Sequence, residues 1–243
     1  MSSGTPPEPS AGLVKRVIEE SRILNRERLA AFGLTPAMIA KAVAYVYQVL
    51  DAIDKTTTGF GEPRLSGLLE LANLSSVVGN LFGRGIAVAS EGRFERNRPH
   101  AYPDLLSRHP GGKDIEIKVA LETNNPKGHL PKPGPHMTVR YVLGDSDGRF
   151  TRGRETRGDV VWLWEVRVGT LGLEHFQVSN TAGDSGKTAV ISAAGMAELL
   201  PVLISLEHCP HAAGGKNYRE AHSLVHGAPP APPPKRRRSP GRG

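Results

Sequence analysis

An alternation of apolar and charged residues from Asp114 to Leu121 constrains the fold more than any other feature of the sequence. Three apolar and three charged side chains follow one another there: Ile115, Ile117 and Val119 against Asp114, Glu116 and Lys118. A period of two residues is typical of a β-strand that packs one face on a core. Because alternate side chains share a face, Glu116 and Lys118 are predicted to lie side by side on the polar face.

Helical periodicity dominates the sequence before this strand. Apolar residues among charged ones predict an amphipathic helix over Gly12–Ala31. Thr35 and Pro36 supply an N-cap and a first-turn proline for a second helix that ends near Asp54. A third helix is predicted over Leu65–Phe82. The N-terminal third is therefore expected to be helical.

Strand-like segments then alternate with loops up to a final helix. The predicted strands, besides Asp114–Leu121, are Gly85–Ala89, Ala101–Leu106, Met137–Gly144 and Asp159–Gly169, and Ala189–Leu206 is predicted to be helical. Helices first, then a mixed sheet, then a helix favour an α/β or α+β domain.

The chain of 243 residues predicts one folded domain between two polar ends. We expect a flexible leader over 1–10, a single domain over 11–226 and a disordered Pro/Arg-rich tail over 227–243. Within the domain, 11–82 is predicted to be mainly helical and 83–226 to hold the sheet and a C-terminal helix. The lack of a long apolar run, of a signal-peptide core and of more than one cysteine predicts a cytoplasmic protein with no membrane partner.

A chemical constellation surrounds the alternating strand. Asp104 precedes Glu116 by eleven intervening residues, among them the turn signal Pro110-Gly111-Gly112. A hairpin through that turn would bring Asp104 beside Glu116 and Lys118. Carboxylates are the ligands that Mg²⁺ prefers, so Asp104, Glu116 and the carbonyl of Ile117 are candidate metal ligands. Lys118 would orient an attacking water and offset charge on a phosphate.

The Pro103-Asp104 and Glu116-Ile117-Lys118 segments resemble the PD-(D/E)XK nuclease superfamily, and more narrowly the type II restriction endonucleases. The resemblance covers about residues 65–145. It implies a restriction-endonuclease-like mixed central sheet flanked by helices, Mg²⁺-dependent hydrolysis of double-stranded DNA at a short specific site, and a homodimer. It also implies a further metal-binding glutamate on the preceding helix, for which Glu70 is the matching position.

Segments with the chemistry to contact DNA flank this constellation. The net charge of +7 permits a nucleic-acid partner, although Lys235–Arg238 supplies four of the seven charges. Amide and basic side chains suit phosphates and base edges. The candidate DNA-contacting residues are Asn124, Asn125, Lys127, His129, Lys132, His136, Arg152, Arg154 and Lys187.

Alternatives remain open from the sequence. The polar strand face could instead be an ordinary solvated edge whose lysine deters aggregation. Glu70 could instead belong to the solvent-exposed face of an amphipathic helix. The same site would serve a repair or recombination nuclease, and the basic charge alone would serve a non-catalytic DNA-binding protein. Thr181 stands where a phosphate-binding loop ending in Gly186-Lys187 requires glycine, so no nucleotide cofactor is expected.

Overall fold

Two long helices precede the sheet in the computed structural model, which describes residues 16–99, 101–153, 156–179 and 188–227. Helix α2 begins where the sequence predicts, because Thr35 Oγ1 accepts a hydrogen bond from the Met38 N–H at 3.2 Å and Pro36 occupies the first turn. The α-helices are α1 (Arg26–Leu29), α2 (Pro36–Gly59), α3 (Leu65–Leu68), α4 (Leu71–Ala89), α5 (Ala193–Glu198) and α6 (Lys216–His226). Short 3₁₀ helices cover Glu20–Arg22, Ala30–Phe32, Leu173–His175 and Leu206–His208.

The described strands form three sheets. They are β1 (Phe94–Arg96), β2 (Leu105–Ser107), β3 (Glu116–Leu121), β4 (Lys127–Gly128), β5 (Gly134–Gly144), β6 (Val160–Leu171), β7 (Phe176–Ser179), β8 (Thr188–Ile191) and β9 (Leu200–Ile204). The central sheet has the order β3-β5-β6-β9, with β3 parallel to β5 and the other pairs antiparallel. Strands β1 and β2 pair antiparallel, and β4, β8 and β7 form a second antiparallel sheet. The protein is thus a mixed α+β structure, as the order of elements predicts.

One face of the central sheet packs against α4, which runs antiparallel to β3. A Cβ at Gly83 would meet Ile117 Cδ1 at 3.0 Å, and one at Gly79 would meet Val119 Cγ2 at 3.0 Å. These glycines let the helix approach the strand closely. Helix α2 adds a second layer, where the Tyr47 hydroxyl accepts a hydrogen bond from the backbone N–H of Leu163 on β6 at 3.0 Å.

The opposite face of the central sheet is polar and largely buried. Register pairs Glu116 with His136 across β3 and β5, and Arg140 with Glu165 across β5 and β6. Side chains that alternate with the apolar core residues therefore line this face: Glu116, Lys118, His136, Thr138, Arg140, Glu165 and Arg167. Charged groups are rarely buried unless they are paired. A buried sheet face that carries charged side chains in place of apolar ones is therefore unusual.

Several predicted elements differ from the structure. Gly85–Ala89 is the last part of α4 and not a strand, because Gly85 packs in the interface with α2, where an added Cβ would meet Ala42 Cα at 2.8 Å. The predicted helix over Ala189–Leu206 is instead most of β8, the short α5, and β9. The predicted third helix is interrupted at Leu69, whose backbone is extended. The described part of Gly12–Ala31 forms only short helical turns.

The predicted leader over 1–10 lies outside the described residues, as does the predicted tail apart from Gly227. Across the described ranges, no single helix has the combined length and apolarity to span a bilayer. One bent pair, Arg26–Phe32 with Pro36–Gly59, passes that test jointly at an angle of 86°.

Candidate active site

A short antiparallel contact places Asp104 beside the alternating strand. Leu105 and Ile115 exchange both of their backbone hydrogen bonds, each at 2.9 Å. Gly111 takes a φ of 81° in the connecting turn, which glycine adopts without strain. Asp104 Oδ2 then accepts a hydrogen bond from the backbone N–H of Ile117 at 2.8 Å. The predicted juxtaposition of Asp104 with the Glu116–Lys118 segment is confirmed.

Glu116 is the buried centre of the site. Its side chain is 3% exposed, and Lys118 Nζ, two residues along the same strand face, ion-pairs with Glu116 Oε1. Lys132 Nζ contacts the same oxygen at 3.1 Å. The other oxygen, Oε2, has no hydrogen-bond partner among the described residues. A buried carboxylate oxygen without a donor is costly, and it is the kind of group that a cation would satisfy.

The two carboxylates differ in electrostatics. Burial raises the pKa of Glu116, but Lys118 and Lys132 outweigh it and hold that pKa below its ordinary value. Burial and the negative charge of Glu116 raise the pKa of Asp104, and the Ile117 N–H and nearby cations only partly offset them. Repulsion between the two neighbouring carboxylates therefore appears in the raised pKa of Asp104 and not in the pKa of Glu116.

Lys132 covers the site from the Pro-rich segment after β4. Its ammonium lies 4.7 Å from the centroid of the Tyr102 ring, within the range of a cation–π contact. The Tyr102 hydroxyl donates a hydrogen bond to the Pro133 carbonyl at 2.9 Å, which ties this segment to the one that carries Asp104. The Lys132 side chain is 36% exposed, against 16% for Lys118, so it is the more accessible of the two cations on Glu116.

Sequence reasoning missed Arg96, Asn80 and Tyr102. Arg96 Nη2 donates to Asn80 Oδ1 on α4 at 2.8 Å, and Arg96 Nη1 lies 3.9 Å from Asp104 Oδ1. Gly83 makes room for this arginine, since a Cβ there would clash with Arg96 Nη1. No local sequence pattern predicts a role for Arg96. Tyr102 stands directly before Pro103-Asp104, and its position next to the candidate metal ligand could have indicated a residue of the site.

Two carboxylates and one carbonyl supply part of the ligand set that a magnesium ion needs. Asp104 and Glu116 offer carboxylate oxygens. The Ile117 carbonyl points to the strand edge that carries its N–H, which is the edge facing Asp104. In the described ranges no group of three or more His, Cys, Asp or Glu side chains could hold a metal. Mg²⁺ commonly uses one or two carboxylates with waters and substrate phosphates, so two suffice for that ion.

The structure does not bring Glu70 to this site, which corrects its assignment as a metal ligand. Glu70 is exposed and precedes the first residue of α4. Gly83, thirteen residues later, is level with Ile117. At 1.5 Å per helical residue, Glu70 lies ~20 Å away along the helix. The cause is the antiparallel run of α4 past β3, which puts its N-terminus at the far end of the strand.

The candidate DNA-contacting residues fall into three groups. Asn124, Lys127, His129 and Arg152 are exposed, and Lys132 is half-buried over Glu116. His136 is a correction to the DNA-contact assignment, and Asn125 stays a prediction. His136 is fully buried, with its ring 5.7 Å from that of Phe176. Asn125 is half-buried, and its Oδ1 accepts a hydrogen bond from Arg140 at 3.0 Å. Arg154 and Lys187 lie outside the described residues.

No protein-family model matches the chain, and comparison with curated proteins finds no match.

Proposed function

We propose that this protein is a Mg²⁺-dependent endonuclease that hydrolyses phosphodiester bonds of double-stranded DNA, acting as a homodimer of the type II restriction class. One observation carries the proposal. Asp104 accepts a hydrogen bond from the Ile117 N–H, beside the buried Glu116. Glu116 Oε2 has no hydrogen-bond partner among the described residues, and Lys118 lies on the same strand face as Glu116. The two acids are near enough for the charge of Glu116 to raise the pKa of Asp104, and such a pair suits a cation and would repel phosphate without it.

Asp104, Glu116 and the Ile117 carbonyl would hold the ion. When bound, Mg²⁺ would polarise the scissile phosphate and make a nearby water more acidic. Lys118 is nearly enclosed beside Glu116, so its ammonium is fixed where it can hydrogen-bond the attacking water or a phosphate oxygen that gains charge. Lys132 is the cation that must give way when a metal and a phosphate approach Glu116, because its side chain is the more exposed.

The surroundings of the site support a polyanionic substrate. Exposed Lys127 and His129 lie on the segment that follows β3, next to the strand that carries Glu116 and Lys118. The mixed sheet with helices packed on one face is compatible with the fold that the resemblance implies. The restriction class and the homodimer derive from that resemblance.

Supercoiled plasmid DNA tests this proposal. We expect nicked and linear products with Mg²⁺ and none with EDTA, and discrete fragments if cutting is sequence-specific. Glu116→Gln should remove both products, because it withdraws a negative ligand while keeping the side chain's size. Glu62→Gln, an exposed glutamate in the loop after α2, is the matched control and should cut like the unaltered protein.

Binding of the plasmid by the unaltered protein with no cutting under any divalent cation would refute the enzyme proposal. Smeared products or a preference for branched DNA would refute the restriction class but keep the nuclease, as a repair or recombination enzyme.

A further inference from the structure

Arg96 is a third cation at the candidate active site, and α4 holds it beside Asp104. Its Nη2 donates a hydrogen bond to Asn80 Oδ1 on α4 at 2.8 Å. Its Nη1 faces Asp104 Oδ1 at 3.9 Å, which is beyond hydrogen-bond distance. Asn80 therefore fixes the guanidinium near Asp104 without a hydrogen bond between the two charged groups.

The Arg96 guanidinium keeps most of its donors available for a ligand. An arginine side chain carries five N–H donors. Among the described residues, the Arg96 guanidinium makes one hydrogen bond, to Asn80. The Arg96 side chain is 23% exposed and that of Asp104 is 29% exposed, so a ligand from solution can reach both.

The charges of the site leave Arg96 as the surplus cation. Lys118 and Lys132 both ion-pair with Glu116. These two lysines balance the charges of Glu116 and Asp104, so Arg96 brings the site to three positive charges against two negative ones. Burial and the charge of Glu116 still raise the pKa of Asp104, which makes Arg96 a weak partner for that carboxylate. A surplus cation at this place suits an anionic ligand.

The face of α4 beside Arg96 carries no acid that would repel an anion. The sequence of this helix contains neither Asp nor Glu. Arg84 lies one turn after Asn80 on the same face, and both side chains are exposed. Glu95 adjoins Arg96 in β1, but neighbouring strand residues point to opposite faces, and Glu95 ion-pairs with Arg108. A polyanion can therefore approach Arg96 along this helix.

We propose that Arg96 binds a DNA phosphate beside the candidate metal ligands, with Asn80 as its positioning residue. Asp104 Oδ2 accepts the Ile117 N–H, so Oδ1 is the oxygen left for an ion. Arg96 faces that same oxygen, so a phosphate held there would lie close to the guanidinium. A guanidinium can donate two parallel hydrogen bonds to a phosphate, and such charge-assisted bonds are roughly twice as strong as neutral ones. This role rests on the proposed nuclease function, which supplies DNA as the ligand.

Filter binding of plasmid DNA by the full chain in Ca²⁺, at several salt concentrations, tests this role. Each phosphate contact contributes ~0.9 to the slope of log K against log salt for duplex DNA. We expect Arg96→Met to reduce that slope by ~0.9 and to weaken binding roughly 10- to 150-fold, as for lost hydrogen bonds to a charged group. Arg149→Met, at a 78%-exposed arginine in the loop after β5, is the matched control and should change neither quantity.

Arg96→Lys separates a phosphate contact from simple neutralisation of Asp104. Lysine keeps the positive charge but does not reproduce the planar fork of the guanidinium. We therefore expect Arg96→Lys to keep the salt slope and to recover only part of the affinity that Arg96→Met loses. Asn80→Ala should keep the salt slope and weaken binding by up to about tenfold, because Arg96 then loses the hydrogen bond that fixes it.

An unchanged salt slope in Arg96→Met would overturn the proposal, as would full recovery of affinity in Arg96→Lys. An equal loss in Arg149→Met, or no DNA binding by the unaltered protein, would also overturn it. Binding is measured separately from cleavage. A protein that binds DNA through Arg96 but does not cut it would refute the proposed nuclease and keep the phosphate contact.

Discussion

Neutralising the two carboxylates of the site should change stability in opposite directions. Glu116→Gln removes a charge that two lysines stabilise, and we expect it to lower the free energy of unfolding at neutral pH. Asp104→Asn keeps an acceptor for the Ile117 N–H and removes a charge that burial and Glu116 disfavour. We therefore expect this variant to be more stable than the unaltered protein when no metal is bound.

The signs follow from the pKa shifts. The pKa of Glu116 is lowered, so its ionisation contributes stability above its ordinary pKa of 4.5, and that contribution is lost as the pH falls through the lowered value. The pKa of Asp104 is raised, so its contribution is present below its ordinary pKa of 3.8 and is lost as the pH rises through the raised value. At neutral pH, ionised Asp104 is thus a cost and ionised Glu116 a gain.

The loss of unfolding free energy in Glu116→Gln depends on how well Lys118 and Lys132 can be solvated once their partner is neutral. Removing one partner of a fully buried ion pair costs about 3–5 kcal/mol. Lys118 and Lys132 keep 16% and 36% of their side-chain surface and can partly turn to solvent. We therefore expect a loss of about 1–3 kcal/mol, the range for a buried polar group that loses its partner.

Urea unfolding in EDTA at neutral pH measures both effects, with Glu62→Gln as the control for an exposed carboxylate. Thermal unfolding in the same buffer gives a second readout. Since 1 kcal/mol shifts the midpoint temperature by ~2–4 °C for a chain of this size, Glu116→Gln should lower that temperature by roughly 2–12 °C. Destabilisation by Asp104→Asn, or no effect of Glu116→Gln, would refute the electrostatic description of the site.

Three further outcomes follow from the same contacts. Gly128→Val should push Lys118 aside, since a Cβ at Gly128 already lies 3.3 Å from Lys118 Cε, and should slow DNA cleavage by up to about 100-fold. Gly59→Val, with no heavy atom within 4 Å of the added Cβ, should leave cleavage unchanged, and equal loss in both variants would contradict the placement of Lys118. Mg²⁺ at tenfold its dissociation constant should stabilise the unaltered protein by ~1.4 kcal/mol in urea unfolding, and this gain should vanish in Asp104→Asn. Lys132→Met should leave DNA cleavage within about tenfold in a plasmid assay, because Lys118 still pairs with Glu116, and complete loss would assign Lys132 an essential role.

The site was more predictable from the sequence than the fold around it. Spacing and a turn signal located Asp104 relative to Glu116 because a hairpin is a local structure, and alternation placed Lys118 on the same face. Arg96 approaches Asp104 only because Gly83 opens a space on α4. That contact depends on how a helix packs on a strand, which no local pattern encodes.

The errors in secondary structure have the same origin. Gly85–Ala89 has a short apolar run that local rules assign to a strand, but its glycine makes close contact with α2 and the segment stays helical. Ala189–Leu206 contains a long apolar stretch because β9 is buried along most of its length, whereas β8 is buried only at alternate residues and α5 buries only Gly195 and Met196. Glu70 was matched by sequence order alone, and the direction of α4 separates it from the site.

Cleavage by a Lys118→Met variant tests the central claim most directly, because this change leaves both carboxylates, and hence metal binding, in place. The measurement is the single-turnover rate on plasmid DNA with Mg²⁺, together with the affinity for the same DNA with Ca²⁺. We expect Lys118→Met to cut at least about 100-fold more slowly, as for the loss of a group that stabilises developing charge, with DNA affinity within about tenfold. Lys55→Met, at an exposed lysine on α2, should keep the cleavage rate. Cutting by Lys118→Met at the unaltered rate would contradict a hydrolytic site built on Asp104, Glu116 and Lys118.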